Sequence, residues 1–146
     1  EMISKNTYST VKLLDLIASN SNTENSSGET KAGTVSEADF LYAVKCGTRI
    51  VEANLSGEDL SDAIIGCSTN LSGADLTGAN LTGAFLGQTN LTGANLTGAN
   101  LTGATLSTTD LTGANLTGAT LPLSGFFQAI LCNTIMSNGD IDNSGC

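Results

Sequence analysis

Four cysteines, fourteen carboxylates and no histidine set the range of chemistry open to this 146-residue chain. The cysteines are Cys46, Cys67, Cys132 and Cys146. None forms a CxxC pair, and without His the mixed Cys/His zinc sites are closed. The same lack of His removes imidazole acid–base catalysis, Ser-His triads and Cys-His dyads. Glu58 and Asp59 are adjacent, so on an extended chain they point to opposite sides and make no carboxylate pair. No glycine leads to a Gly-Lys-Ser/Thr phosphate loop. The run Asp140-Ile141-Asp142-Asn143-Ser144-Gly145 begins like a calcium loop, but no Glu follows to complete it, and it reads as a polar turn. Asn-Leu-Ser/Thr recurs at Asn54, Asn70, Asn80, Asn90, Asn95, Asn100 and Asn115, formally glycosylation acceptors. A repeating sequence generates these matches automatically. The expectation is no catalytic residue, no cofactor and no metal, with the cysteines as structural disulfides.

The elements that would position those cysteines are set by a five-residue frame. Leu recurs at Leu71, Leu76, Leu81, Leu86, Leu91, Leu96, Leu101, Leu106, Leu111, Leu116 and Leu121, and Phe126 takes the next place. Upstream, Ile50, Leu55, Leu60 and Ile65 keep the spacing, with one residue inserted before Leu71. Downstream, Leu131, Met136 and Ile141 continue it. The unit reads Ala-Asn/Asp-Leu-Ser/Thr-Gly. Ala and Leu stand two apart, so on an extended segment both face inward while the Asx between them faces out. Ser/Thr and Gly then form a corner, where Gly tolerates the backbone angles a tight bend needs.

A second period gives the number of sides. Thr replaces the inward Ala at Thr48, Thr69, Thr89 and Thr109. The last three are twenty apart, and the first gap is twenty-one because it contains the insertion. Twenty residues is four units, so the chain is expected to wind as an all-β solenoid of four-sided coils, about five of them, ~4.8 Å apart. The A(D/N)LXX text resembles the pentapeptide-repeat proteins, strongly over residues 48–127 and weakly over 128–146. That resemblance implies a right-handed quadrilateral β-helix. Departures from the pattern are Glu58 at an inward small position, Gly125 and Phe126 off consensus, and Pro122 outward at a corner.

Residues 1–47 do not repeat. Val11, Leu14 and Ala18 share one helical face over 8–18, and Phe40, Leu41 and Val44 form a stripe over 35–45 behind a Ser36/Asp39 or Thr34/Glu37 capping box. Residues 19–33, rich in Ser, Asn, Glu and Gly, read as a loop. The segment is expected to be a helical cap, because the open end of a solenoid must be covered. Residues 48–127 form the solenoid and 128–146 a last coil.

Within this frame Cys46 and Cys67 take the same outward position one coil apart, at a distance that suits a disulfide. Cys132 and Cys146 are left to close the final coil. Two disulfides point to an oxidising compartment, the thylakoid lumen or periplasm, with any export segment absent from this chain. The resemblance extends to members in cyanobacteria and plant thylakoid lumens.

All five basic residues (Lys5, Lys12, Lys31, Lys45, Arg49) lie before residue 50, whereas residues 50–146 hold eight carboxylates and no Lys or Arg, a net −8. Nucleic acid and membrane insertion are therefore not expected. The function expected is a non-enzymatic, monomeric structural or protein-binding module with an unknown protein partner. One alternative is a DNA mimic that binds DNA gyrase, as quinolone-resistance members of the family do, although between Asp75 and Asp140 the only charge is Asp110. Another is binding to ice or another ordered surface through the ladders Thr77/Thr97/Thr117 and Thr82/Thr102. Outward residues off the consensus are the candidate contacts: Phe85, Gln88, Phe127 and the first-coil acids Glu52, Asp59 and Asp62.

Overall fold

The computed structural model describes residues 51–66 and 68–146. The helices expected over 8–18 and 35–45, the loop between them, and the Cys46–Cys67 pairing lie outside the described residues.

The described chain is a stack of flat turns. Parallel bridges join Asn70 to Asn90, Asp75 to Asn95, Asn80 to Asn100 and Phe85 to Thr105, each twenty residues apart. Across the insertion the step is twenty-one: Asn54 to Asp75, Asp59 to Asn80 and Ile64 to Phe85. Each turn therefore has four sides, named below by Asn70, Asp75, Asn80 and Phe85. A side is too short for a conventional strand, so it contributes one bridging residue to each neighbour.

The five-residue unit satisfies every backbone amide it carries. In Ala94-Asn95-Leu96-Thr97-Gly98, Asn95 N–H donates back to Ala74 O at 2.9 Å, and Leu96 N–H forward to Asn115 O at 2.7 Å. Gly98 N–H donates forward to Thr117 O at 2.9 Å, and Ala94 N–H closes its corner on Leu91 O at 3.0 Å. The fifth amide, Thr97 N–H, turns to the Asn95 side-chain Oδ1 at 3.1 Å, which also accepts the Thr97 hydroxyl at 2.6 Å. This is why the outward position prefers Asn or Asp. Both offer the same Oδ1 acceptor, and an unpaired amide at a corner is costly. Gly98 has φ +66°, the left-handed corner that glycine adopts without penalty.

Inside, the central Leu and small Ala positions are fully or nearly fully buried from Ala53 to Ala119, apart from Glu58, which is half-buried in a small position. From Leu71 to Leu116 every central leucine is fully buried, while Leu121 and Phe126 are partly buried against the same core. A buried leucine contributes ~2–3 kcal/mol, so a narrow core without Trp is built by repetition. The described inward threonines Thr69, Thr89 and Thr109, and Thr134 after them, are buried as well, and each hydroxyl is used, that of Thr69 on Gly66 O at 2.7 Å. Thr89 Oγ1 reaches Ile65 O at 2.9 Å, Thr109 Oγ1 reaches Leu86 O at 2.7 Å, and Thr134 Oγ1 reaches Leu111 O at 2.8 Å. These latter bonds tie each turn to the one below. Among the described residues no buried side-chain polar atom lacks a partner.

Two expectations fail near the C-terminus. Pro122 is buried rather than outward, and Leu123 projects fully into solvent. In this unit Thr120 stands where the Asx acceptor should be and Pro122 where the donating amide should be, so the corner hydrogen bond has neither partner. The corner is remade with Pro122 turned in and packed beside Gly125, where a Cβ would come within 2.6 Å of Ala104 O. The five-residue frame also stops at Met136 instead of continuing through Ile141. Strand β1 (Thr134–Ile135) pairs antiparallel with β2 (Ile141–Asp142), and Gly139 at φ +88° allows the reversal between them. Ile141 is consequently 63% exposed.

Candidate interaction face

From Asn70 to Gly118, three of the four sides keep the Asx–Ser/Thr–Gly exterior. The Phe85 side does not. Its Asx slot holds Ile64, Phe85 and Thr105 in successive turns, its Ser/Thr slot holds Gly66, Gly87, Ser107 and Phe127, and its Gly slot holds Ser68, Gln88, Thr108 and Gln128. Its inward positions remain Ala63, Ala84 and Ala104, all buried. The core is conserved in type along this side while the surface is replaced.

The replacement has a geometric logic. The Phe85 ring packs against two glycines. A Cβ on Gly87 would sit 2.8 Å from Phe85 Cζ, and one on Gly66 would sit 3.2 Å from Cε1. Moving Gly one position earlier in the unit makes the seat for the ring, which stays 45% exposed. The move leaves non-glycine residues at the left-handed corner: Ser68 at φ 62°, Gln88 at 62°, Thr108 at 58° and Gln128 at 58°. Each such corner costs roughly 1–2 kcal/mol relative to the right-handed region. All four side chains at this corner are exposed.

Of the first-turn acids, Asp62 borders the face, Asp59 lies on the adjoining Asn80 side, and Glu52 lies at a corner the face does not touch. Asp59 Oδ1 accepts the Ser61 hydroxyl at 2.7 Å and Asn80 Nδ2 at 3.2 Å, so it works within the ladder. Asp62 occupies the corner just before Ile64, at φ 56°, with its carboxylate lying over Gly83 in the next turn. Glu52 is exposed at another corner, at φ 58°, against Gly73. Phe127 is 74% exposed.

On the regular sides, Thr77, Thr82, Thr97, Thr102 and Thr117 each donate their hydroxyl to the preceding Asx Oδ1 at 2.6 Å. The outward threonine ladders thus present hydroxyls whose protons are already committed within the unit. Asp75 shows the electrostatic result: hydrogen bonds from the Thr77 hydroxyl and amide hold its carboxyl below the ordinary value of 3.8. The Ser144 hydroxyl and amide do the same to Asp142.

At the C-terminus Cys132 and Cys146 form a disulfide, with Cα atoms 4.9 Å apart. Gly145 N–H donates to Leu131 O at 2.9 Å and Asn133 N–H to Asn143 Oδ1 at 2.9 Å, so the returning chain is fastened on both sides of the bridge. The Asp140 and Asp142 carboxylates accept from Asn138 Nδ2 and Ser144 N–H, each serving its own turn. Among the described residues no three His, Cys, Asp or Glu side chains gather as a metal site, and no helix is long and apolar enough to cross a membrane.

The Pentapeptide repeats family model matches in 8 copies, over residues 69–108 and 90–124. The chain belongs to the pentapeptide-repeat family. The solenoid therefore winds as the right-handed β-helix of that family, whose members are generally non-enzymatic structural modules. Among solved structures, HetL of the cyanobacterium Nostoc sp. strain PCC 7120, involved in heterocyst differentiation regulation, is 36% identical with a TM-score of 0.62, over 64% of this chain and 43% of HetL. The pentapeptide repeat protein Rfr23 of Cyanothece 51142 is 36% identical over 56% of this chain and 58% of its own, with a TM-score of 0.38. The chain thus spans 43% and 58% of the lengths of these two relatives. A thylakoid-lumen pentapeptide repeat protein of Arabidopsis thaliana matches over 78% of this chain and 79% of its own. It is 22% identical, with a TM-score of 0.33. No curated protein matches.

The corner glycines of the Phe85 side conceal its character in the sequence. Gly66 and Gly87 read as ordinary turn residues, yet each follows the central residue directly, one place early. That displacement is the signal that marks the side. The Asx acceptor role has its own sequence signal, because Ser or Thr two residues after Asx is a turn pattern.

Proposed function

We propose that this pentapeptide-repeat solenoid is a non-enzymatic protein-binding module, about five coils long, whose N-terminal segment 1–47 caps the first coil, and that it works in an oxidising compartment such as the thylakoid lumen or periplasm. The observation that carries the reading is the Phe85 side, where the buried positions keep the repeat and the exposed ones abandon it at an energetic cost. Strained, exposed side chains on a rigid scaffold are what a binding surface requires, and backbone strain of this kind concentrates at functional sites. The Cys132–Cys146 bridge supports the compartment, because such bonds persist where thiols are not kept reduced. The deciding experiment is chemical crosslinking of the chain in its native compartment, with a thiol count on the same denatured material. Recovery of a defined protein partner and no free thiols supports the reading. Four free thiols sink the compartment, and potent inhibition of gyrase supercoiling replaces the reading with DNA mimicry.

A further inference from the structure

We propose that the Phe85 side docks an extended peptide segment carrying an aliphatic or aromatic anchor next to a lysine or arginine. This rests on the protein-binding reading above and names its surface and the chemistry of its partner.

Size decides between a segment and a second copy of the chain. One side is about three extended residues wide, ~10 Å, and the rungs from Ile64 through Thr105 to the Phe127 turn are ~4.8 Å apart, so the departing surface covers roughly 150–200 Å². A stable interface between folded proteins needs about 800 Å² from each partner. A flat face of this size is too small for a second solenoid. It matches five or six extended residues at ~3.3 Å each.

Charge decides the composition. Asp62 stands at the edge of the Ile64–Phe85 shelf with its carboxylate over Gly83. Residues 51–146 bring eight carboxylates and no cation to the surface. A lysine or arginine placed beside the anchor meets that negative field, to which no described residue adds a positive charge, and an acidic segment is repelled. The anchor lies against the exposed Phe85 ring and Ile64, while at the left-handed corner Gln88 offers an amide to the segment's backbone, and the Thr108 hydroxyl, which donates to Ser107 O at 2.6 Å, offers an acceptor. Such exposed polar side chains on one rail of the face fix the direction in which the segment lies.

The test uses the full-length, disulfide-bonded chain and two labelled eight-residue probes, Ser-Gly-Leu-Lys-Leu-Lys-Gly-Ser and its counterpart with Glu for Lys, followed by fluorescence anisotropy. The lysine probe is expected to bind with Kd between about 10 and 300 μM, and the glutamate probe at least about tenfold more weakly. Phe85→Asp weakens the lysine probe by about tenfold or more. Asp62→Asn weakens it about threefold and flattens its salt dependence. Gln88→Gly is the control for folding, since it relieves a strained corner. It raises the melting temperature and still weakens the probe, which no loss of structure does. Equal binding of both probes, an unchanged affinity in a folded Phe85→Asp chain, or no binding at about 1 mM overturns the proposal. So does a concentration-dependent dimer in sedimentation that Phe85→Asp dissolves. If the folded Phe85→Asp chain still crosslinks to a native partner, the face is wrong and the protein-binding reading survives. If the wild-type chain crosslinks to nothing, that reading itself fails.

Discussion

Residues 69–118 hold themselves together by addition, and residues 119–146 by closure. In the first region Leu96 N–H meets Asn115 O, Thr97 N–H meets Asn95 Oδ1, and the same bonds recur at each unit that keeps the Asx–Thr pattern. In the second, Thr120 and Pro122 remove that bond, the frame ends at Met136, and the chain turns back on itself through β2 under the Cys132–Cys146 link. A solenoid stacks any number of equal layers, but the last layer has no successor to take its amides and carbonyls. An open parallel ladder is an invitation to edge pairing, and an antiparallel return fixed by a covalent bond blunts it. The contrast shows that elongation and termination are separate problems, solved with different chemistry.

Four perturbations sharpen or break that contrast. The largest effect is expected in the shaft. Leu96→Ala opens a cavity between two identical layers and lowers stability by about 3 kcal/mol in denaturant unfolding, whereas Leu121→Ala, at a partly buried site, costs less than half as much. Equal losses would mean that the two regions unfold as one unit limited elsewhere. Next comes the bridge. Cys146→Ser releases a loop of sequence separation 14 and costs about 2–3 kcal/mol. Hydrogen exchange should quicken at the β1–β2 amides while the amides of Leu91 to Leu116 keep their protection. Faster exchange throughout would show that termination also supports the shaft. Third, Thr89→Val keeps the shape but leaves Ile65 O without the Thr89 hydroxyl, for a loss of about 1–2 kcal/mol.

The smallest effect is one of pH. Asp75 and Asp142 are held below their ordinary pKa in the folded chain, so each contributes stability that is present above about pH 4 and lost as pH falls through the folded value. Asp75→Asn retains the Oδ1 acceptor used at most other rungs and removes the shaft's share of this acid sensitivity. Its melting temperature should match wild type at pH 7 and exceed it at pH 3. A steeper acid loss in the variant would contradict the role given to Oδ1.

The shaft was legible because its determinants are local and repeated. The five-residue step of Leu71 to Leu121, the two-residue separation of Ala and Leu, and the twenty-residue step of the inward threonines together specify a four-sided winding. The end was not legible, for a physical reason. Ile141 stands five residues after Met136 by spacing alone, but Gly139 and the Asn138–Asp140 turn reverse the chain between them. Periodicity reports which residues recur, and it is silent on the direction in which the backbone travels. The burial of Pro122 is hidden from periodicity for a related reason, because it follows from losing two hydrogen-bond partners at once. The Phe85 side was half legible: Phe85 and Gln88 stood out as departures, but their seat depends on glycines that looked like part of the rule.

The twenty-residue step between bridges has a consequence for how such a chain changes over generations. Thr69, Thr89 and Thr109 occupy equivalent positions, so excising residues 89–108 would join Gln88 to Thr109 with the winding still in phase. A gene encoding this pattern can lose or duplicate whole turns by misaligned recombination and yield a rod of unchanged cross-section. Length then varies in quanta of ~4.8 Å, like the graduations of a ruler.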